Sequence, residues 1–199
     1  MWKMGIPILP STEMSGPPSI SVQLAIDPPQ FIPGCQPTPT LSVTATSHAT
    51  GPITIFTWGD IFNLRLAQKR KNFTCLDLTT NAPIRMETTK GPKRRGFLRV
   101  LGGRDDRFFH TLEPGIPVTF TETFRLWSRV ASSPSAYPAH RYRLGLNDEE
   151  AIDYWWYGRK EEVLAPPGTI AGLGEPSGPP IQLAPVAPVD FEIKDSSNG

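Results

Sequence analysis

Cysteine, long apolar runs and helix-compatible stretches are all scarce in this chain. Only two cysteines, Cys35 and Cys75, occur in 199 residues, too few for a disulfide-dense small scaffold; they form one bridge or stay as two thiols. The apolar run near the start is broken by Pro7 and Pro10. That is too short for a signal peptide or a membrane span, so a cytoplasmic, non-membrane protein is expected, with secretion left open. The 23 prolines are roughly twice the usual share and work against long helices. Net charge is also low, at +1, and no recognisable nucleic-acid module accompanies it, which disfavours nucleic acid as a partner.

That small net charge conceals an asymmetry. Residues 65–107 hold twelve Lys/Arg against four Asp/Glu, whereas residues 145–199 hold three against ten. Two such regions can complement each other within one fold, or the basic one can meet an external polyanion.

What is present is alternation with a period of two. In Leu41–Ser47 the apolar residues Leu41, Val43 and Ala45 alternate with Ser42, Thr44 and Thr46, giving one core face and one wet face. Ile53–Trp58 is almost wholly β-branched or aromatic, and Gly51-Pro52 before it predicts a hairpin. Ile61–Lys71 reads as a crossover between sheets, and Phe73–Leu78 as a return strand. Further strands are expected over Ser19–Asp27, Ile84–Thr88 and His140–Leu146. Phe108–Leu112 and Ile116–Phe124 should form a strand–turn–strand about Glu113-Pro114-Gly115, the second strand with the composition of a buried one.

In the last third, Asn147-Asp148-Glu149-Glu150 fits a helix N-cap, and Ile152, Trp155 and Trp156 fall at i, i+3 and i+4 before Gly158. This predicts a short aromatic helix near 148–157. Residues 165–188 carry seven prolines and four glycines, a polyproline-like strap. Val189, Phe191 and Ile193 then alternate with polar neighbours as a final strand. The expected organisation is a flexible arm over 1–18, a β-sandwich over 19–164, and the strap with its final strand over 165–199 packed on the same domain.

The segments LSVTATS (41–47), ITIFTWGDIF (53–62), FTCLDL (73–78), TLEPGIPVTFTETF (111–124) and HRYRLGL (140–146) together resemble the immunoglobulin-like β-sandwich found as the amino-terminal domain of fungal deuterolysin-type metallopeptidases and as stand-alone fungal proteins of unknown function. The resemblance covers about half of the chain and implies an all-β, antiparallel immunoglobulin-like sandwich. It does not carry the activity. Such a peptidase needs H-E-x-x-H on a helix, and His48, His110 and His140 are followed by Ala49, Thr111 and Arg141.

Other catalytic patterns fail on their own chemistry. Gly91 and Gly96 have P-loop spacing, but Phe97 and Leu98 stand where Lys and Ser/Thr are required; Gly172, Gly174 and Gly178 miss the dinucleotide fingerprint; and no G-x-S-x-G occurs. No metal site and no cofactor is expected. The leading reading is a non-catalytic binding or protein-interaction module, with an unidentified protein or small apolar molecule as partner and a homodimer compatible. Its contact residues are expected in the aromatic cluster Tyr154, Trp155, Trp156 and Tyr157 and the basic loop Lys90, Lys93, Arg94 and Arg95. The alternative is a small cofactor-independent isomerase or cyclase acting on an apolar metabolite, with Asp60, His110, His140, Tyr142 and Asp153 as acid–base candidates. Asn72-Phe73-Thr74 also fits the N-glycosylation pattern.

Overall fold

The computed structural model describes residues 17–86, 89, 94, 96–126, 137–183 and 185–195. In chain order these contain β1 (Ile20–Asp27), β2 (Gln30–Phe31), β3 (Thr40–Ser47), β4 (Ile53–Phe56), α1 (Leu64–Ala67), β5 (Phe73–Asp77), β6 (Ala82–Ile84), β7 (Phe109–Leu112), β8 (Val118–Thr123), β9 (Arg141–Leu146), β10 (Ala151–Ile152), β11 (Trp155–Tyr157), α2 (Lys160–Val163), β12 (Ile181–Gln182) and β13 (Val189–Ile193). The architecture is all-β and sandwich-like. Its sheets run β1-β3-β8, β2-β13-β9-β5-β6, β11-β4-β7 and β10-β12. Neighbouring strands are antiparallel, apart from the short parallel pair β13–β2.

Alternation in the sequence is realised where one face meets the core. Ile20, Val22 and Ile26 on β1 pair with Ser47, Ala45 and Leu41 on β3, and these side chains are buried. Tyr142 and Leu144 of β9 and Phe191 and Ile193 of β13 enter the same core. Phe31, Phe124, Phe191 and Tyr142 form a connected aromatic set there, with Tyr142 stacked on Phe191 at 5.3 Å between ring centroids.

The predicted hairpin and the strand–turn–strand are both sheet switches. β3 pairs with β1 and β8, whereas β4 pairs with β7 and β11, so Gly51-Pro52 carries the chain from one sheet to another. The Glu113–Gly115 turn does the same between β7 and β8. A fully buried β4 beside an amphipathic β3 explains the difference, because the two strands need different environments. β8 is itself only half-buried, not the buried strand its composition suggests. The short strand expected at Ile84–Thr88 begins earlier, at Ala82. The crossover at 61–71 does run between sheets and includes α1.

The aromatic helix near 148–157 is not formed. Glu150 N–H donates to Asn147 O in a turn (3.2 Å), and the chain continues as β10 and β11. Helical stacking would have put Trp155 and Trp156 on one side, but as neighbours in a strand they point to opposite faces. Each then enters a separate cluster, Trp155 the main core and Trp156 a second one with Phe56, Phe108, Phe109 and Leu164. Bulky aromatic side chains suit a strand with both faces covered.

The strap completes this arrangement by closing the free edge of β11. Ser177 N–H donates to Trp155 O (2.8 Å), Tyr157 N–H donates to Ser177 Oγ (3.1 Å), and the two indole N–H groups donate to Pro179 O (2.9 Å) and Glu175 O (2.7 Å). Proline-rich chain is suited to covering an edge without offering a new one. Gly178 lies against the Trp155 ring so closely that an added Cβ would stand 2.9 Å from Cζ2. Gly178→Ala is therefore expected to destabilise the fold by about 1–3 kcal/mol through overpacking, read as a lower urea midpoint with an unchanged slope.

Candidate functional site

The residues Tyr154–Tyr157 do not form one aromatic surface. Register places Tyr157 with Ile53 and Leu112, and Trp155 with Ile55 and His110, on one face of β11-β4-β7; Trp156 lies on the other with Thr54. Trp155 and Trp156 are 1% and 5% exposed, whereas Tyr154 and Tyr157 are 38% and 50% exposed. Tyr154 contacts Phe56 and Trp156, and Tyr157 contacts Trp155. The two exposed tyrosines thus pack on opposite faces.

Arginines of the basic segment are used largely against aromatic rings. Arg94 lies 4.8 Å from the Phe97 centroid and 5.6 Å from that of Trp58; Arg99 lies 5.1 Å from Trp156, and Arg107 4.8 Å from Phe108. Beneath them Asp105 is fully buried. It accepts a hydrogen bond from Leu98 N–H (2.9 Å) and meets Arg94 at 2.6 Å and Arg104 at 3.3 Å. Arg94 is therefore engaged inside the fold, while Lys90, Lys93 and Arg95 lie outside the described residues. The basic segment also meets the strap through backbone bonds, Arg99 N–H to Ala171 O and Ala165 N–H to Arg99 O. Its arginines meet the acidic C-terminal region through that backbone pairing and through Trp156. Among the described residues, the ion pair joining the two regions is Lys160 to Asp106 (2.7 Å), opposite in sense to the charge asymmetry.

The acid–base candidates separate into three places. His140 Nδ1 is 2.7 Å from Asp77 Oδ2, and Tyr142 donates its hydroxyl to Pro138 O (2.9 Å). Burial, then the Asp77 charge, pushes the Tyr142 hydroxyl up to about 12. Burial also works to raise Asp77, but hydrogen bonds from His140, Thr79 and Thr80 outweigh it and hold the carboxyl at about 2. His110 stands apart on β7 against Phe120, its pKa lowered chiefly by burial.

Asp60 and Asp153 are brought together, and with them comes Glu150. Asp60 is 6% exposed; its Oδ1 accepts from Phe62 N–H (2.9 Å), and its Oδ2 is buried without a hydrogen-bond partner. Burial, reinforced by the Glu150 and Asp153 charges against the Phe62 hydrogen bond and the Arg70 charge, raises its pKa to about 8. Burial likewise raises Glu150, although Asn72 Nδ2 donates to both of its oxygens (3.0 and 2.9 Å). Glu150 also reaches open space, lining a cleft of about 270 Å³ with Asn147, Asp148, Leu146, Leu183, Pro185 and Val186.

Sequence reasoning missed Glu150 and Asn72 because both carried other roles there, one in a helix cap and one in a glycosylation pattern. The Asn72 carboxamide is instead buried and committed to Glu150. Both cysteines are free thiols, Cys35 exposed and Cys75 buried. Burial, then Asp77, pushes Cys75 up to about 12. Native alkylation is expected to label Cys35 and to reach Cys75 only on unfolding, checked by intact mass.

Asp60 also predicts a pH dependence. Its folded pKa of about 8 exceeds the ordinary 3.8, so between those values the folded state holds a proton that the unfolded state has lost. Its contribution to stability is complete below about pH 4, declines as pH rises and levels off above about pH 8, with a limiting slope of about 1.4 kcal/mol per pH unit. Urea melts of the protein and of Asp60→Asn are expected to diverge over this window, the protein losing more stability toward high pH. Parallel curves would contradict a protonated Asp60.

Neither a scan against protein-family models nor a search of curated proteins gives a match to this chain.

Proposed function

We propose that the protein is a non-catalytic protein-interaction module that meets its partner through the loop end of the sandwich carrying Tyr157 and Ile116. The observation supporting this reading is that the loops running on from the Tyr157–Ile53–Leu112 row are clamped to one another. Gly115 N–H donates to Ser47 O (2.8 Å), Gly158 N–H to Pro52 O (2.9 Å) and Thr54 Oγ1 to Gly158 O (2.9 Å), while Arg159 pairs with Glu113 at 2.7 Å. Ile116 and Tyr157 stand on this frame 58% and 50% exposed. Loops fixed before binding lose little conformational freedom on contact, and tyrosine supplies a rigid amphipathic contact. The flanking Arg159 and Glu113 supply a polar rim.

The second reading is a small cofactor-independent enzyme acting on an apolar metabolite. It is favoured by the Asp60 carboxyl, whose raised pKa suits proton transfer near neutrality, and by its coupling to Glu150 at the cleft.

Photo-crosslinking residues placed at Tyr157, at Ile116 and, as an equally apolar exposed control, at Ile170 distinguish these readings. The interaction reading expects one protein captured from the first two positions but not from Ile170. Unlabelled wild type should compete for it, and a Tyr157→Ala/Ile116→Ser double variant should compete at least about tenfold less well. Equal competition by the double variant, or capture independent of position, overturns it.

A further inference from the structure

We infer that the Glu150 cleft is a binding site for a small primary amine with a short apolar body. The site arises where two chain segments diverge from a short ladder. β10 and β12 pair through Ala151–Gln182 and Ile152–Ile181, and Leu183 N–H donates to Glu150 O (3.1 Å). Beyond this clamp one segment contributes Leu146, Asn147, Asp148 and Glu150, and the other contributes Leu183, Pro185 and Val186. The first wall therefore carries the carboxylates, and the second is apolar.

The occupant follows from these two walls. Glu150 is held in place by Asn72, itself buried and fixed where its backbone O accepts from Asn147 N–H (3.0 Å). That single nitrogen leaves most of the carboxylate's acceptor capacity free. Asp148 shares the wall, and the Asp153 charge adds negative potential at Glu150. Lys71 is near enough to ease the Glu150 charge, yet among the described residues it makes no ion pair with it. An ammonium group at Glu150 gains a charge-assisted hydrogen bond in a partly desolvated site, and its apolar body removes Leu183 and Val186 surface from water. A cleft of about 270 Å³ lies just below the usual range of about 300–1,000 Å³ for ligand pockets, which fits a monoamine of one ring or a short alkyl chain.

The test is titration of the full chain with 2-phenylethylamine and with its neutral analogue 2-phenylethanol, at physiological salt and followed by amide NMR shifts. The amine is expected to bind, shifting the amides of residues 147–152 and those of Leu183 and Val186, and the alcohol to bind at least about tenfold more weakly. Glu150→Gln, which retains an acceptor for Asn72, should weaken the amine by a similar factor. Val186→Trp should block both compounds while leaving every carboxylate in place. Equal binding of amine and alcohol, amine binding that survives both variants, or no binding of the amine would each overturn the inference. The loop-end variants Tyr157→Ala and Ile116→Ser are expected to leave amine binding unchanged, so this result is independent of the interaction reading.

Discussion

The constraint on which the rest of the structure depends is that β11-β4-β7 carries large apolar side chains on both faces. All four residues of β4 are buried: Ile53 and Ile55 pack in the main core, and Phe56 belongs to the second cluster. A sheet of that kind needs two covers. The main core provides one. The other is assembled from Phe97 and Leu101 of the basic segment, Phe108 just before β7, Val163 and Leu164 at the end of α2, and Leu173 of the strap. Glycine, proline and arginine there serve a layer rather than a linker: arginines lie over the aromatic rings, where desolvated cation–π contact is favourable, and the strap satisfies the edge of β11.

Much of the two-faced part of the fold was legible from residue order. β1, β3, β9 and β13 follow simple alternation, since each has one wet face and one core face. Two of the misreadings follow from one cause. Strands with both faces buried show no alternation, so Trp155-Trp156 after an acidic turn resembled a helix, and β3 followed by β4 resembled a hairpin. Local spacing cannot distinguish a strand between two cores from a helix with one apolar side; the deciding facts are Ile55, Thr54 and the strap, which are distant in sequence. The candidate site was legible only in fragments. Asp60 and Asp153 could be named, but their approach to Glu150 depends on long-range contacts.

Three buried carboxylates show three ways of meeting the cost of desolvation. Asp105 is met by arginines, and Asp77 by hydrogen bonds from His140 and two threonines. Asp60 instead remains protonated near neutrality, with one oxygen unpartnered. The first two arrangements stabilise their surroundings, holding the basic segment and the start of β9. The third leaves a neutral, titratable group that feels the Glu150 and Asp153 charges. The loop end is different in kind, fixed by backbone bonds and presenting apolar side chains.

The central claim, that β11 lies between two cores, is tested most directly by comparing urea unfolding of Trp156→Ala and Tyr157→Ala. The account predicts a loss of about 3–5 kcal/mol for Trp156→Ala, as for any large aromatic removed from a packed interior, against about 1 kcal/mol or less for the half-exposed Tyr157. Similar small losses for both would contradict it, because Trp156 would then be an exposed residue and the arginine and proline segments would have no second core to cover.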